Sequence, residues 1–502
     1  MNHNKHSSNV FRRTGAWLKS VFLPAILLAC SLAPLLSGCA LSRPPAHSQV
    51  VTNALPPSTS IPARWISPAG TNSVSDDWLK SFNDPRLEAL VAEALTNNLD
   101  LRQAAASVEA ARQTVVVVAS QLKPRAGANL GVASTRDEHH DQWYNSNLET
   151  AGASWEPDVW GRLRSQRSAA EAGYQATALD YAFARQSLAA ITAKSWYLAI
   201  ETRQLLTLSE QSVTVYSNLF DLVKIRRDAG KVTDLDVAEA GADLSAAQGQ
   251  LRVSQGLYSD SRRNLELLLG RYPAAELAVA DHFTPVPPPV QAGLPSLLLE
   301  RRPDLVAAER KVLAAFRVEE AAKLALLPSF SLNLAGGHLS DSMLSLLQMN
   351  PWMIHAALGM YVPIYQGGAL RAQIRIANAQ QEQAVAHYGG AALRAFRDVE
   401  SALTHEELLA DRLQLQQAEV RDRVEAVRIS NLQYKAGAID LLSVLQLQSD
   451  EIGSQANWIK LRNAQLANRI DLHLALGGSF EPAPSVASFV EGPAAAGQGF
   501  GR

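Results

Sequence analysis

The chain has 502 residues, of which 47% are hydrophobic and 19% charged, and its formal net charge is −2. Because basic side chains do not outnumber acidic ones, there is no surplus positive charge for a nucleic-acid backbone, and we expect no nucleic-acid partner. Mean hydropathy is −0.06, and after the N-terminus no stretch approaches the roughly 20 apolar residues of a membrane-spanning helix. These values exclude a polytopic helical membrane protein.

Common catalytic and metal-binding motifs are missing from the sequence. Cys30 and Cys39 are the only cysteines, and their position near the N-terminus excludes a disulfide scaffold and a thiolate zinc site. No HExxH, GxSxG, GxxxxGK[ST] or GxGxxG motif occurs. The adjacent His139 and His140 lack a further ligand at helical spacing and indicate an exposed loop tip. We therefore predict no metal site, no catalytic residue and no enzymatic activity.

Residues 1–38 have the order of a secretory signal, in which basic residues precede an apolar run and small residues. The run ends in Leu-Ser-Gly-Cys39, which resembles a bacterial lipobox. The resemblance implies cleavage before Cys39 and acylation of that cysteine. Aspartate directly after the lipidated cysteine would favour retention in the inner membrane, but this chain has Ala40 there. The resemblance therefore implies the outer membrane. We predict a lipid-anchored segment over 39–82 and no cofactor other than the lipid on Cys39; a plain signal peptide is the alternative.

The remainder of the chain is an internal duplication of one unit. A shift of 204 residues places Asp100-Leu101 on Asp304-Leu305, and a shift of 207 places Ala229-Gly230 on Ala436-Gly437. One register held over so many positions indicates a duplication. We assign the first repeat to residues 83–284 and the second repeat to residues 294–478. A proline-rich linker at 285–293 joins them, and a disordered tail is predicted at 479–502.

Each repeat has the same predicted order of helix, β-hairpin, long helix and return helix. Proline ends the first helical segment, at about 83–122 and 294–327, and none occurs in the long stretches that follow the hairpins. The β-hairpins are predicted at 125–157 and 329–364, and the long helices at 162–228 and 369–435. Each long helix would be about 100 Å long at 1.5 Å per residue.

The long helices show coiled-coil spacing with many small residues, which indicates close helix–helix packing. On the outgoing helix of the first repeat the predicted seam steps by three and four through Leu188, Ile191, Ser195, Leu198, Thr202 and Leu205. On the return helix, positions seven apart include Ala240, Ala247, Ser254 and Ser261.

The four strands alternate apolar and polar or small residues over about ten positions, as membrane strands do. Aromatic residues flank them and would mark the two lipid–water interfaces: Trp143, Trp155, Trp160, Trp352 and Tyr361. Four strands cannot close a barrel in lipid, where an open edge leaves backbone groups unpaired. Several copies must therefore share a barrel of 8, 12 or 16 strands.

These residues resemble the TolC-like outer-membrane efflux family, in its lipoprotein (NodT-type) branch. The motifs that carry the resemblance are the Leu36–Cys39 lipobox, Trp155–Arg162, Leu294–Asp304 and the two glycine turns. The resemblance implies a mainly α-helical homotrimer with a 12-stranded transmembrane β-barrel and a long periplasmic helical tunnel. It also implies an inner-membrane RND-type pump and a periplasmic adaptor as partners, and outer-membrane lipid around the barrel.

The resemblance also assigns two groups of site residues. The adaptor would dock on the helix turns, at Gly230, Lys231, Val232 and Thr233 and at Gly437, Ala438, Ile439 and Asp440. The family often places acidic gate residues six and nine positions after the second glycine, where this chain has Ser443 and Gln446. The acidic candidates near the same end are Asp236, Glu239 and Asp440.

The sequence thus predicts the outer-membrane exit duct of a tripartite efflux pump for small toxic compounds. A duct for type I protein secretion is an alternative of the same class, against which lipidation argues. A lipid-tethered periplasmic coiled-coil scaffold is an alternative of another class, but a scaffold would not need alternating strands flanked by tryptophan.

Overall fold

The computed structural model describes residues 42–68, 70, 72, 74–137, 142–340 and 353–481. The predictions for Cys39, His139, His140 and Trp352 fall outside these residues. The chain forms two compact units, and each contains parts of both repeats. The first unit comprises Met1–Gln49, Arg112–Gly173 and Lys311–Ala384, and the second comprises Val50–Ala111, Tyr174–Arg310 and Val385–Arg502.

The helices that open the first repeat are shorter than predicted. Helix α1 (His47–Ala54) and a 3-10 helix (Trp78–Phe82) precede α2 (Pro85–Asn97) and α3 (Leu99–Ser120). The single segment predicted at 83–122 is therefore divided at Asn98. Asn98 has extended backbone, and its Oδ1 accepts the N–H of Leu101 at 3.0 Å, so it caps the start of α3.

The second repeat opens with the same division. Its opening helices are α6 (Pro295–Arg301) and α7 (Pro303–Leu324), which follow α4 (Arg162–Asp228) and α5 (Asp234–Leu268) of the first repeat. Arg302 separates them because the residue before a proline is driven away from helical backbone. The single segment predicted at 294–327 is wrong for this reason.

The strands form one antiparallel sheet in the first unit, in the order β1 (Arg125–Asp137), β2 (Gln142–Trp155), β3 (Ser329–Ser340) and β4 (Met353–Tyr361). The predicted apolar positions lie on a single face, because the register pairs Ala153 with Leu334 and Leu334 with Ala356. Leu130 and Leu358 on this face are 80% and 76% exposed. The sheet therefore presents a continuous apolar surface to its surroundings.

The long helices follow the hairpins in both repeats. Helices α4 (Arg162–Asp228) and α8 (Ala369–Lys435) have the predicted bounds, and the return helices are α5 (Asp234–Leu268) and α9 (Leu441–Ala475). Each repeat thus pairs a 67-residue helix with a 35-residue return helix. Among the described residues, no helix has the length and apolar character required to cross a bilayer.

Within the single chain the return-helix seam is buried, whereas two positions of the outgoing-helix seam are exposed. Ala240, Ala247, Ser254 and Ser261 are all buried on α5. The Ser261 hydroxyl contacts that of Thr202 at 2.8 Å, so the seam pairs polar groups within the close packing. Ile191 and Leu198, by contrast, are 47% and 42% exposed in this single chain, because alanines and Trp196 fill the core side of α4.

The linker and the chain end are held by specific hydrogen bonds. Arg469, which is 2% exposed, donates to the carbonyls of Pro287 and Pro288 and pairs with Glu406. The predicted disordered tail begins too early, because Ser479 is 3% exposed and its carbonyl accepts the N–H of Asp77 at 2.7 Å. Residues 482–502 lie outside the described part of the chain.

Equivalent positions of the two repeats hold the ends of the return helices with different chemistry. Asn98 Nδ2 donates to the Leu268 carbonyl at 3.2 Å, and Arg302, 204 residues later, donates to the Ala475 carbonyl at 3.4 Å. Both groups satisfy carbonyls that a helix end leaves free. The glycines that follow, Gly270 and Gly477, have positive φ of 71° and 68°.

His473 and Glu266 also occupy equivalent positions, 207 residues apart, and each is 3% exposed. The carboxylate of Glu266 accepts N–H groups of the loop at Ala275, Glu276 and Leu277. Burial alone would raise the pKa of Glu266, but these three bonds hold it below its usual range. His473 instead stacks on Trp78 at 5.6 Å between ring centroids, and burial, with the charge of Arg469, lowers its pKa to about 3.

We expect Gly270→Ala to destabilise the protein more than Gly230→Ala does. Both positions have nearly the same positive φ, 71° and 68°, so each substitution carries about 1–2 kcal/mol of backbone strain. A β-carbon at Gly270 would also lie 2.9 Å from the Asn97 carbonyl oxygen, whereas at Gly230 it would meet nothing within 4 Å. Thermal unfolding in detergent measures the difference, and equal midpoints would contradict the close packing at Gly270.

We expect stability to fall as the pH drops below 6.5 because of His473. A folded-state pKa of about 3 against 6.5 unfolded means that the unfolded chain binds the proton first, at about 1.4 kcal/mol per pH unit. Thermal unfolding from pH 7.5 to pH 5 measures this loss. His473→Phe keeps a flat ring beside Trp78 and should flatten the profile, whereas the exposed control His387→Gln should leave the profile as steep as before.

Candidate functional site: the two helix turns

The candidate site is the pair of turns that join each long helix to its return helix, and both turns lie in the second unit. Gly230 and Gly437 have positive φ of 68° and 76°. At the first turn, Lys231 N–H donates to the Arg226 carbonyl at 2.9 Å and Gly230 N–H to the Arg227 carbonyl at 2.8 Å. This is a Schellman motif, in which glycine supplies the left-handed residue after a helix.

The second turn repeats that geometry. Ala438 N–H donates to the Gln433 carbonyl at 2.9 Å, and Gly437 N–H donates to the Tyr434 carbonyl at 3.0 Å. Two independent segments therefore close in the same way, 207 residues apart. The duplicated turn is fixed by backbone geometry at glycine, as the sequence predicts.

Acidic side chains then start both return helices. Thr233 and Asp236 form a reciprocal capping box at α5, and Asp440 Oδ1 accepts the N–H of Ser443 at 2.9 Å at α9. The bonds from Thr233 lower the pKa of Asp236, and the bonds from Ser443 lower the pKa of Asp440. Carboxylates at helix N-termini are stabilised in their charged form.

The proposed gate residues thus lie at or near the starts of the return helices. The charge of Asp440 acts on Asp236 and opposes the lowering of its pKa by the bonds from Thr233. Gln446 donates to Asp450 at 3.0 Å, which also pairs with Arg423. Glu239 is partly buried.

The predicted docking residues divide into an exposed and a packed set. Val232 and Ile439 pack against an apolar cluster beneath the turns that includes Tyr434, Leu441 and Val444. The other docking residues are exposed, namely Gly230, Lys231, Thr233, Gly437, Ala438 and Asp440. The turns therefore present small and polar groups above an apolar base.

Arg226 joins the two turns and was missed by the sequence reasoning. Its guanidinium lies 4.2 Å from the ring centroid of Tyr434 and donates to the carbonyls of Tyr434 and Lys435 at 3.1 and 3.4 Å. A cation placed at the end of α8 interacts favourably with its free carbonyls. The available signal was an arginine in the last turn of α4, which alone does not name its partner.

Exposed aliphatic side chains also flank both turns at equivalent positions. Ile225 and Leu432 are 66% and 55% exposed, and Leu235 and Leu442 are 67% and 61% exposed. The members of each pair lie 207 residues apart. The repeat register could have found them, since solvated turns have no need of an exposed aliphatic residue at the same position of both repeats.

The aromatic residues near the strand ends have mixed environments. Trp143 and Tyr361 are 65% and 58% exposed. Trp155 Nε1 donates to the Leu122 carbonyl at 3.0 Å, and Trp160 Nε1 donates to the Pro328 carbonyl at 2.7 Å. Trp155 and Trp160 therefore tie the hairpins to the adjoining helix ends.

Comparisons with known proteins agree with this architecture. The family model described as "Outer membrane efflux protein" matches residues 90–271 and 294–478. The pyoverdine export outer membrane protein OpmQ of Pseudomonas putida is 30% identical, over 91% of this chain and 98% of that protein. The toluene efflux pump outer membrane protein TtgF of Pseudomonas putida is 31% identical, over 90% of this chain and 97% of that protein.

A solved structure gives the same result for the fold. The open state of the MtrE outer membrane channel of Neisseria gonorrhoeae superimposes with a TM-score of 0.76 at 25% identity, over 88% of this chain and 99% of that one. Family match, relatives and fold cover both repeats, with their sheet and their long helices. The chain therefore belongs to the outer membrane efflux protein family.

Proposed function

We propose that three copies of this chain form a lipid-anchored channel that exports small toxic compounds across the outer membrane. The observation that carries the proposal is the four-stranded sheet, whose apolar face is exposed and whose two edges have no strand partner among the described residues. In this proposal no bond is made or broken. Transport is diffusion through a duct that opens at the helix turns.

The sheet edges support assembly from several copies. Strands β1 and β4 stand at the edges and run for 13 and 9 residues. Each unpaired backbone group would cost several kcal/mol in hydrocarbon, so an open sheet cannot span a membrane. Pairing β4 of one copy with β1 of the next supplies the missing bonds, and three copies give a closed 12-stranded barrel.

The long helices support a tunnel that continues the barrel. Ile191 and Leu198 lie seven residues apart on α4 and are about half exposed in the single chain. Exposed apolar residues at heptad spacing favour packing against another helix. Neighbouring copies in a trimer would bury them and leave polar and small side chains for the lumen.

The helix turns support docking of a periplasmic adaptor, through which an inner-membrane RND-type pump would drive export. The turns expose two equivalent aliphatic pairs around a small, polar crest. This repeated surface suits a partner that presents apolar side chains on hairpin tips. Cys39 would carry the acyl chains that tether the assembly to the membrane.

Two of the more similar relatives point to small organic cargo, since TtgF is named for toluene and OpmQ for pyoverdine. Protein secretion and a tethered periplasmic scaffold are the two other functions that the experiments below separate from efflux. A scaffold would leave the strands outside the bilayer. A secretion duct would leave drug susceptibility unchanged on deletion.

We expect native mass spectrometry of protein extracted from outer membranes to give a three-fold assembly. Each chain should begin at Cys39 and carry the mass of its acyl chains, and Cys39→Ala should remove that mass. Strain susceptibility to solvents and antibiotics should rise on deletion and return with the intact gene. A lipidated monomer would contradict the channel, because its four strands cannot close.

We expect Leu235→Asp with Leu442→Asp to abolish export while the trimer still forms. The two substitutions place charge on the aliphatic pair that would be buried against the adaptor, at a cost of several kcal/mol per unpaired ion. Leu267→Asp is the matched control, since Leu267 is 66% exposed on the same return helix as Leu235 but at its opposite end. Export equal to that of the parent in the double variant would overturn the proposed docking surface.

A further inference from the structure

Both backbone groups of Ser42 are held by one ion pair. Its N–H donates to Glu320 Oε1, and its carbonyl accepts from the guanidinium of Arg317 at 3.0 Å. Arg317 and Glu320 are one helical turn apart on α7 and pair at 2.6 Å. A residue that belongs to no helix or strand is therefore fixed at its donor and its acceptor.

The ion pair is largely buried, and both of its side chains make further hydrogen bonds. The side chains of Arg317 and Glu320 are 14% and 6% exposed, and Ser165, which is 0% exposed, donates its hydroxyl to Glu320 at 2.7 Å. Burial would raise the pKa of Glu320, but the bonds from Ser165, Arg317 and the Ser42 N–H hold it below its usual range. Buried charges are costly unless they are paired in this way.

The duplication shows that the fold does not require these three polar residues. The first repeat has Gln113 and Val116 at the positions of Arg317 and Glu320, and the second repeat has Ala372 at the position of Ser165. Helices α3 and α7, and likewise α4 and α8, nevertheless have equal lengths. The segment before α1 lies outside both repeats and occurs once in the chain, so the triad matches this segment rather than the repeated architecture.

The held residue is close to the predicted lipid site and to the sheet. Cys39 is three residues before Ser42, so chain length keeps their Cα atoms within about 11 Å. On the other side, α7 ends at Leu324 and β3 begins at Ser329. Ser42, Leu324 and Ser329 belong to the first unit.

We propose that Arg317, Glu320 and Ser165 form a clamp that holds Ser42 and thereby the segment that follows the acylated Cys39. The clamp places this segment near the end of the sheet where α7 leads into β3. The clamp sets where the lipid anchor enters the membrane relative to the strands. Its residues act as positioning residues. The role in anchoring rests on the proposed acylation of Cys39, whereas the clamp itself can be tested without it.

The test is the mobility of a spin label introduced by Arg43→Cys, next to Ser42. With Cys30 removed and Cys39 acylated, this substitution supplies the free thiol of the mature chain. In the full trimer the label should be ordered. Exchange of the clamp for its first-repeat counterpart, Arg317→Gln with Glu320→Val, should make its motion at least about threefold faster, with the trimer retained. Ser165→Ala is the milder variant should the double exchange fail to assemble.

Glu319→Val is the matched control. Glu319 is 9% exposed, pairs with Lys323 at 2.7 Å on the same helix, and is replaced by Val115 in the first repeat. The label at position 43 should stay ordered in the Glu319→Val variant. Equal mobility in parent and clamp variants, or the same loosening in the control, would overturn the clamp. The N-terminal mass is read separately, and a second label series is placed in a Cys39→Ala background, where Arg43→Cys is again the labelled thiol. An unacylated Cys39 in the parent, with an ordered label in that background, would overturn only the lipid role.

Discussion

Backbone hydrogen bonding at the two edges of the sheet is the constraint on which the other features depend. Strands β1 and β4 carry rows of N–H and C=O groups with no strand beside them in the described chain. Water can satisfy such groups, but hydrocarbon cannot. A membrane location therefore demands several copies of the chain, and three copies supply the 12 strands of the proposed trimer. The exposed apolar face is the complementary requirement, since Leu130 and Leu358 are largely exposed in the described part of the chain.

Much of the fold was predictable because it is written in local chain geometry. The absence of proline allows α4 and α8 to run unbroken, and the left-handed glycines Gly230 and Gly437 set where they end. The alternating face of the sheet followed from a period of two. The predicted turns likewise needed no tertiary knowledge. These features depend on residues within a few positions of one another.

Most of the failures have the opposite cause, which is dependence on distant residues; the break at Arg302, directly before a proline, is the local exception. Asn98 breaks a helix through its own side chain and also holds Leu268, far along the chain. Ile191 and Leu198 fit a heptad as well as the buried face does, so spacing alone could not assign the core side of α4. Arg226 required knowledge that Tyr434 lies beside it. A buried partner chosen by tertiary packing leaves no periodic signal.

The duplication supplies what a single sequence usually lacks, an internal comparison on the same fold. Positions that keep their role with changed chemistry, such as Asn98 and Arg302 at the ends of the return helices, mark demands of the architecture. Positions that differ between the repeats in both role and chemistry, such as Val116 and Glu320, indicate an interaction with a segment outside the repeat. For Glu320 that interaction is the hydrogen bond from the Ser42 N–H. Since a buried carboxylate is tolerated only with donors in place, its occurrence in one repeat alone is best explained by the segment that it holds.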